Sequence, residues 1–424
     1  MRFLIFVILF FNFWVAQAYD FENSNSIILN TNYFSDSVAS ADQIENDGLF
    51  LSENNINFSK NWSLKLSPLL VGIYGSAEKK SRVELDAKEV RLTYAGSKLT
   101  ADFGFLNTKK VGPDLMDPLD YFQPRDWQSP LAARKLSVAG LQIEFEPLKN
   151  LSLTVTYVPE NRISKLPRQT SVWYPRENKL PLSTDDTKAT LPENAEYQIT
   201  SNAAEKKSDA KNNYLIKLKY SISDFDFYLQ ASESLAVVPI ITPTLTGTLV
   251  SINPTEIVLQ NPIQLDVVWK KNKNYGAGLV QSFSDYGLIG KLFYNYNITP
   301  DDENQQGVFA IEKQFQDLII VYELSRAEKK LQTASTALTA TNSIFSNTHA
   351  LAARWSYRDN LKLKFGAFLD ANTQGAVALA NIEYHFTDNL YAELQRTELS
   401  GQKNSLIGLF QNNDMTSFKI TALF

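Results

Sequence analysis

The 424 residues contain no cysteine and only two histidines. Without cysteine there is no disulfide framework and no lipid-modified N-terminal cysteine, so the chain folds without staples. Two histidines, His349 and His385, leave little material for hydrolytic chemistry, which needs an activated group beside its substrate. Long apolar runs are missing as well. Past residue 18 no segment approaches the roughly 18 consecutive apolar residues of a spanning helix, which excludes a helical membrane protein. Neither sign of charge is in large excess: 41 basic against 46 acidic residues leave a formal charge of -5. So mild a balance carries no argument for nucleic acid or an anionic surface as partner.

The aromatics stand out among what is present: 26 Phe, 19 Tyr and 6 Trp in a chain of mean hydropathy -0.22. The run FLIFVILFFNFWV, Phe3 to Val15, sits between Arg2 and the small-x-small triplet Ala16, Gln17 and Ala18. This basic, apolar, small order predicts a secretory leader over residues 1–18, with a single domain over 19–424.

Alternation with a period of two recurs along that domain. In SFKITALF, Phe418, Ile420, Ala422 and Phe424 share one face of a strand, while Lys419 and Thr421 share the other. LSLTVTYV sets Leu151, Leu153, Val155 and Tyr157 against Ser152, Thr154 and Thr156. YLIKLKY places Lys217 and Lys219 on the opposite face from Tyr214, Ile216, Leu218 and Tyr220, and LKLKFGAF does the same with Lys362 and Lys364. One face is apolar and the other wet. Such strands satisfy their backbone groups in a membrane only by closing into a barrel.

Connection lengths point the same way. Tight polar turns are expected at Ser59–Asn61, Gly96–Lys98, Pro147–Asn150, Ser223–Asp224, Gln316–Asp317, Arg358–Asn360 and Thr387–Asn389. Long Pro-, Ser-, Thr- and Asn-rich loops are expected near 107–135, 160–212, 236–262 and 327–348. Their alternation is that of short periplasmic turns and long outer loops. The expected fold is all-β: a transmembrane antiparallel up-and-down β-barrel of about 16–18 strands. It reaches 18 if Ile263 to Phe283 is one interrupted strand, unless Lys270 to Asn274 is instead a turn.

The loop GPDLMDPLDYFQPRDW, Gly112 to Trp127, concentrates Asp114, Asp117, Asp120, Arg125 and Asp126 among prolines. A catalytic reading would use two of the aspartates as acid and base, but their spacing on a loop sets neither geometry nor separated pKa values. A calcium reading lacks the alternate-position spacing of a dedicated loop. The third reading is a rigid constriction, with prolines fixing φ and aspartates capping turns, folded into the barrel mouth. Arg125 is then expected to be held by neighbouring carboxylates. Lumen charges are expected at Lys65, Arg91, Lys217, Lys219, Lys291, Lys362 and Lys364, against Glu144, Glu146, Glu323, Glu383 and Glu393. His385 is placed toward the lumen near a tight turn. His349 is placed at the outer rim, where a base paired with a loop serine and a plain solvated residue are the two readings.

The order VRLTYAGSKLTADFGF, the Asp- and Pro-rich loop, then LSVAGLQIEFEPLKNLSLTVTYVPENRISKLP resembles bacterial outer-membrane barrels, porin-like proteins of uncharacterised function, and remotely alginate-export-type porins. The resemblance covers about Val90 to Pro167 and the C-terminal strand. It implies an outer-membrane barrel; the sequence as a whole is read as a channel passing a polar or amphiphilic solute, the alternative being an adhesin or scaffold acting through its long loops. No enzyme activity and no cofactor are expected. The expected partners are outer-membrane lipid, the solute, further copies in a homo-oligomer, and the barrel-assembly machinery, which would read Phe418, Ile420 and Phe424.

Overall fold

Each alternating strand has one face for lipid and one for water, and pairing it with its neighbours until the last meets the first leaves no edge exposed. The computed structural model describes residues 20–35, 44–75, 78–128, 131, 133–167, 173, 187–190, 197–244, 246–252, 255–260, 262–299, 302–331, 347–358, 360–372, 374–401, 407 and 410–424. The expected leader lies outside these residues. The wall starts with β1 (Asp20–Phe34), β2 (Ile44–Asn57), β3 (Trp62–Gly75), β4 (Glu78–Ala95) and β5 (Leu99–Leu106). A long connection carrying β6 (Arg125–Asp126) and β7 (Arg134–Lys135) leads to β8 (Val138–Leu148) and β9 (Leu151–Glu160). The next carries β10 (Thr187–Thr190) and β11 (Tyr197–Ala204) before β12 (Lys211–Ile222) and β13 (Phe225–Leu235). A third carries β14 (Ile240–Thr244), β15 (Gly247–Ile252), β16 (Thr255–Leu259) and β17 (Ile263–Trp269). The wall then continues through β18 (Lys271–Phe283), β19 (Leu288–Thr299), β20 (Asp302–Phe315), β21 (Leu318–Leu331) and β22 (Asn347–Tyr357). It ends with β23 (Leu361–Asp370), β24 (Gly375–Thr387), β25 (Leu390–Ser400) and β26 (Met415–Leu423).

Eighteen of these strands form one antiparallel sheet, closed where β1 pairs with β26, Ser26 opposite Leu423 and Phe34 opposite Met415. The strands alternate as expected. On β26 Met415, Ser417 and Thr421 are buried while Phe418 and Ile420 are exposed outward. The tight turns gather at one end, several through a residue with positive φ (Ser223 51°, Gln316 42°, Arg358 45°) that matches the twist of a two-residue hairpin. The seam closes at this end too, where Asn25 N donates to Phe424 O (2.8 Å) and Phe424 N to Asn25 O (3.0 Å).

Two expectations need correction. Ile263 to Phe283 is two strands in different sheets, and 271–274 is not a turn: Lys271 and Asn274 sit in the wall opposite Leu235 and Ser232. β17 pairs instead with β11 and β14 in a small sheet of loop segments. The reason is packing: Val267 and Trp269 are buried against Leu235, Ile163, Leu166, Ile199 and Ile241, a layer that the outer connections build for themselves. The ladders also run past the expected strand ends. β4 spans 18 residues and β21 extends to Leu331, because polar residues prolong the pairing beyond the apolar belt.

Candidate functional site

The connection from β5 to β8 turns inward. It leaves the wall at Asn107, crosses the lumen as a strap, and returns at Leu136. Gln123, fully buried, ties its two legs together. The Gln123 Nε2 amide donates to Leu106 O (3.1 Å), Leu136 O (2.9 Å) and Asn107 Oδ1 (2.6 Å), while its Oε1 accepts from Thr108 N (2.9 Å). Asp117 shapes the turn at the far end: its carboxylate accepts from Gly112 N (3.1 Å) and Leu119 N (2.9 Å). A Cβ on Gly112 would lie 1.9 Å from Asp117 Oδ1, so a side chain there would displace the carboxylate that shapes the turn. Burial and then the Asp120 charge push the Asp117 carboxyl above the usual carboxylate range, and burial pushes the Tyr121 phenol up to about 12.

The strap tip reaches the wall on the other side of the barrel. Glu323, buried on β21, accepts from Leu115 N (2.9 Å) and Met116 N (2.7 Å). Met116 packs on Val308 and Ala350, with Leu115 and Phe368 alongside. On the way back Leu119 O accepts from Gln230 Nε2 (2.7 Å), Tyr121 donates to Gln306 Oε1 (3.0 Å), and Phe122 joins Val138, Val158 and Leu215. Gly276 leaves the space that Leu119 occupies: a Cβ there would lie 2.2 Å from Leu119 Cδ2. The strap therefore lies against the wall from β9 to β22.

Each aspartate of the loop has an identified place. Asp114 is exposed and faces Lys291 at 3.4 Å, which also holds Glu312 at 3.3 Å. Asp120 pairs with Arg125 (2.6 Å) and Lys135 (2.9 Å), and Arg125 lies over the Trp127 ring. Asp126 pairs with Arg134 (3.1 Å) and accepts from Gln128 N (3.2 Å). Asp86 and Glu84 of β4 receive Arg162 (3.5 Å) and Lys165 (3.2 Å), linking the strap base to the next connection. Asp114 apart, whose partner is on the wall, these carboxylates are committed to neighbours within the strap and its base. Among the described residues no cluster of three or more His, Asp or Glu side chains is arranged to hold a metal ion.

The expected lumen charges face inward and pair along the wall, not across it. Lys65 meets Glu89 (3.0 Å), and Arg91 meets Glu89 (3.2 Å) and Asp102 (3.5 Å). Lys362 (2.9 Å), Lys364 (2.6 Å) and His385 (2.7 Å) converge on Glu383, while Lys419 pairs with Glu393. Lys219 pairs with Asp226 (3.1 Å), Lys217 donates to Lys109 O (2.9 Å), and Glu144 accepts from Ser152 (3.1 Å). Glu146 is exposed near the tight-turn end. Glu323, Lys217 and Lys291 are the exceptions, since each is engaged by the strap. His349 points outward: its Nδ1 shares a hydrogen bond with the Tyr322 hydroxyl (2.8 Å), on the face away from the lumen.

The two halves of the lumen differ. Under the strap many inward residues are neutral and buried, among them Ser232, Ser234, Asn272, Asn274, Asn295 and Ser325, and the charged Glu323, Lys217 and Lys291 there are engaged by the strap itself. On the opposite half the side chains of Lys65 (28 %), Arg91 (26 %), Lys362 (37 %), Lys364 (40 %) and Lys419 (33 %) remain open to solvent. Sequence reading placed Glu323, Lys217 and Lys291 in the lumen but did not single out Gln123 or the apolar wall residues that meet the strap. The available signal was apolar side chains, Val158, Leu215 and Val308, at inward positions that alternation reserves for polar ones.

An eighteen-stranded antiparallel barrel with tight turns at one end and long loops at the other defines the fold class of outer-membrane porins. Among solved structures it is similar to OccAB1 of Acinetobacter baumannii (TM-score 0.55, 8% identity, covering 96% of this chain and 97% of that one). It is similar also to a BenF-like porin from Pseudomonas fluorescens Pf-5 (0.54, 10%, 96% and 99%) and to OccK2 (OpdF) of Pseudomonas aeruginosa in complex with glucuronate (0.51, 9%, 96% and 97%). These neighbours carry the porin-like resemblance and lend none to the alginate-export type specifically. No protein-family model and no curated protein sequence matches the chain.

Proposed function

We propose that the chain is a passive channel of the bacterial outer membrane. A polar solute passes between the strap and the charged half of the wall formed by β23–β26 and β1–β4. The observation that carries this reading is the strap itself, held across the lumen by Glu323 while the opposite half keeps partly exposed lysines and an arginine. A loop that only capped the rim would need no catch on the far wall. The tight turns then face the periplasm and the long loops the exterior. Asp114, Asp117, Asp120, Arg125 and Asp126 form the constriction, and the wall pairs around Lys65, Arg91, Lys362 and Lys364 line the path. A neighbour's bound glucuronate, a small polar solute, agrees with a path of this character. Outward Phe418 and Ile420 with Phe424 serve assembly into the membrane.

A second reading has one observation behind it. β15 and β16 form an outer sheet with β10, and Leu249, Val250 and Ile252 stand exposed on it, as a surface that binds a partner would require. Planar-bilayer recording of refolded protein separates the two. Stable conductance steps are expected for the channel; a correctly folded but silent barrel would leave the scaffold reading.

A further inference from the structure

The outward face of the barrel is not evenly filled. Across β12, β13, β18, β19 and β20 lies a hollow of about 600 Å³, lined chiefly by Leu229, Ala231, Tyr275, Ala277, Tyr294 and Tyr296. Its relief follows from register. Ala277 sits between Leu229 and Tyr294, and Ala231 beside Tyr275, so short side chains form a floor between tall ones. Gly307, the next residue outward of Tyr294, has open space where a Cβ would stand, and Arg326 faces it from β21.

The loop-side rim of the hollow is polar. One row beyond Tyr275, Lys273 stands opposite Glu233. That carboxylate is already engaged by the Tyr214 hydroxyl (2.7 Å) and Lys271 (3.1 Å), and Lys273 lies 4.0 Å away with 55% of its side chain exposed. The other nearby carboxylate, Glu303, is engaged by the Tyr296 hydroxyl. Among the described rim side chains Lys273 is thus a cation open to a new partner, and Arg326 is a second exposed one.

We propose that the hollow holds one acyl chain of a net-anionic lipid bearing a phosphomonoester, from the loop-side leaflet, with Lys273 at its phosphate. Inside a bilayer, filling an apolar hollow brings no gain from leaving water, so retention depends on close packing and on the headgroup contact. Both are present. The row of tyrosines lies where amphipathic rings meet the headgroup level, and a lysine near that surface attracts lipid phosphate. A second barrel is a poorer occupant, because its convex wall does not enter a narrow hollow in another convex wall. The inference rests on the barrel lying in a membrane and not on solute transport, so a silent channel leaves it intact.

Native mass spectrometry of the full barrel in detergent tests it, with bisphosphorylated lipid A, its monophosphorylated form and phosphatidylcholine as probes. The expected result is retention of one bisphosphorylated lipid in preference to phosphatidylcholine. Lys273→Gln should weaken retention about fivefold, the size of one interfacial lysine contact. Ala277→Phe, or Ala231→Leu if the first folds poorly, should abolish it while heat-modifiable mobility stays normal. Equal retention of lipid A and phosphatidylcholine, or full retention after the hollow is filled, overturns the proposal. A dimer that disappears on filling the hollow would assign it to a second copy instead.

Discussion

Replacing Glu323 by Gln is the most direct test of the strap. In the native barrel its carboxylate holds two backbone amides, Leu115 N and Met116 N, at 2.9 and 2.7 Å, in a fully buried position. A hydrogen bond to a charged acceptor contributes about 1.5–3 kcal/mol, and an amide left buried without a partner costs about 1–3 kcal/mol. Glutamine retains one neutral acceptor, so the loss is about 3 kcal/mol. The apolar contacts of Met116 with Val308 and Ala350 survive the change and contribute about 2 kcal/mol. At 1.4 kcal/mol per factor of ten, the population with the strap released rises on the order of a hundredfold. Single-channel recording should show larger and noisier openings. Because the chain has no cysteine, a Leu115→Cys probe is unique, and its labelling by an impermeant maleimide should accelerate in the Gln background. A Glu146→Gln barrel should behave as the parent. Unchanged conductance, noise and labelling after Glu323→Gln would refute the catch, provided the barrel folds.

Changing Asp117, Asp120 and Asp126 together to Asn frees Arg125, Lys135 and Arg134 from their partners, so the reversal potential in a salt gradient should move toward anions; no movement with conductance intact would put the strap outside the path. Acidification should act on Asp117 early. Its folded-state pKa is raised, so its ionised form is disfavoured by folding. Protonation removes that cost as pH falls through the folded value toward the ordinary aspartate value of about 3.9. Cation preference should accordingly start to decline above that ordinary value, and Asp117→Asn should erase this first step in a pH series of reversal potentials. Deleting Phe424 removes both backbone bonds with Asn25 at the seam and one outward aromatic. The truncated chain should reach the membrane in reduced amount, and normal levels of the heat-modifiable form would count against an assembly role.

Much of this barrel is legible from local pattern. Alternation in SFKITALF and LKLKFGAF sets which side chains meet lipid, because a strand has only two faces and one residue of slip would reverse them. Tight polar turns such as Ser223–Asp224 and Gln316–Asp317 mark one end, since two residues suffice only between adjacent antiparallel strands. That a neighbouring carboxylate would hold Arg125 was expected as well, charges in a narrowed space being costly unless paired; the carboxylate is Asp120.

Where the long connections go is a different kind of information. Asn107 to Leu136 reads as a rigid Asp- and Pro-rich loop, yet its path depends on Glu323, Gly276 and Val308, residues of other strands far along the chain. Ile263–Trp269 alternates like a wall strand but pairs with β11 and β14, because the loops above the barrel offer Trp269 a drier layer than the wall does. His349 belongs to the wall outside the lumen for the reason that Thr348 and Ala350 take the inward positions. Alternation is a property of neighbouring residues, and so sequence alone determined the strands, their faces and the tight ends. Burial of Glu323, Leu215 and Val308 is a property of which distant segment arrives to cover them, and only closure of the barrel around its own strap decided that.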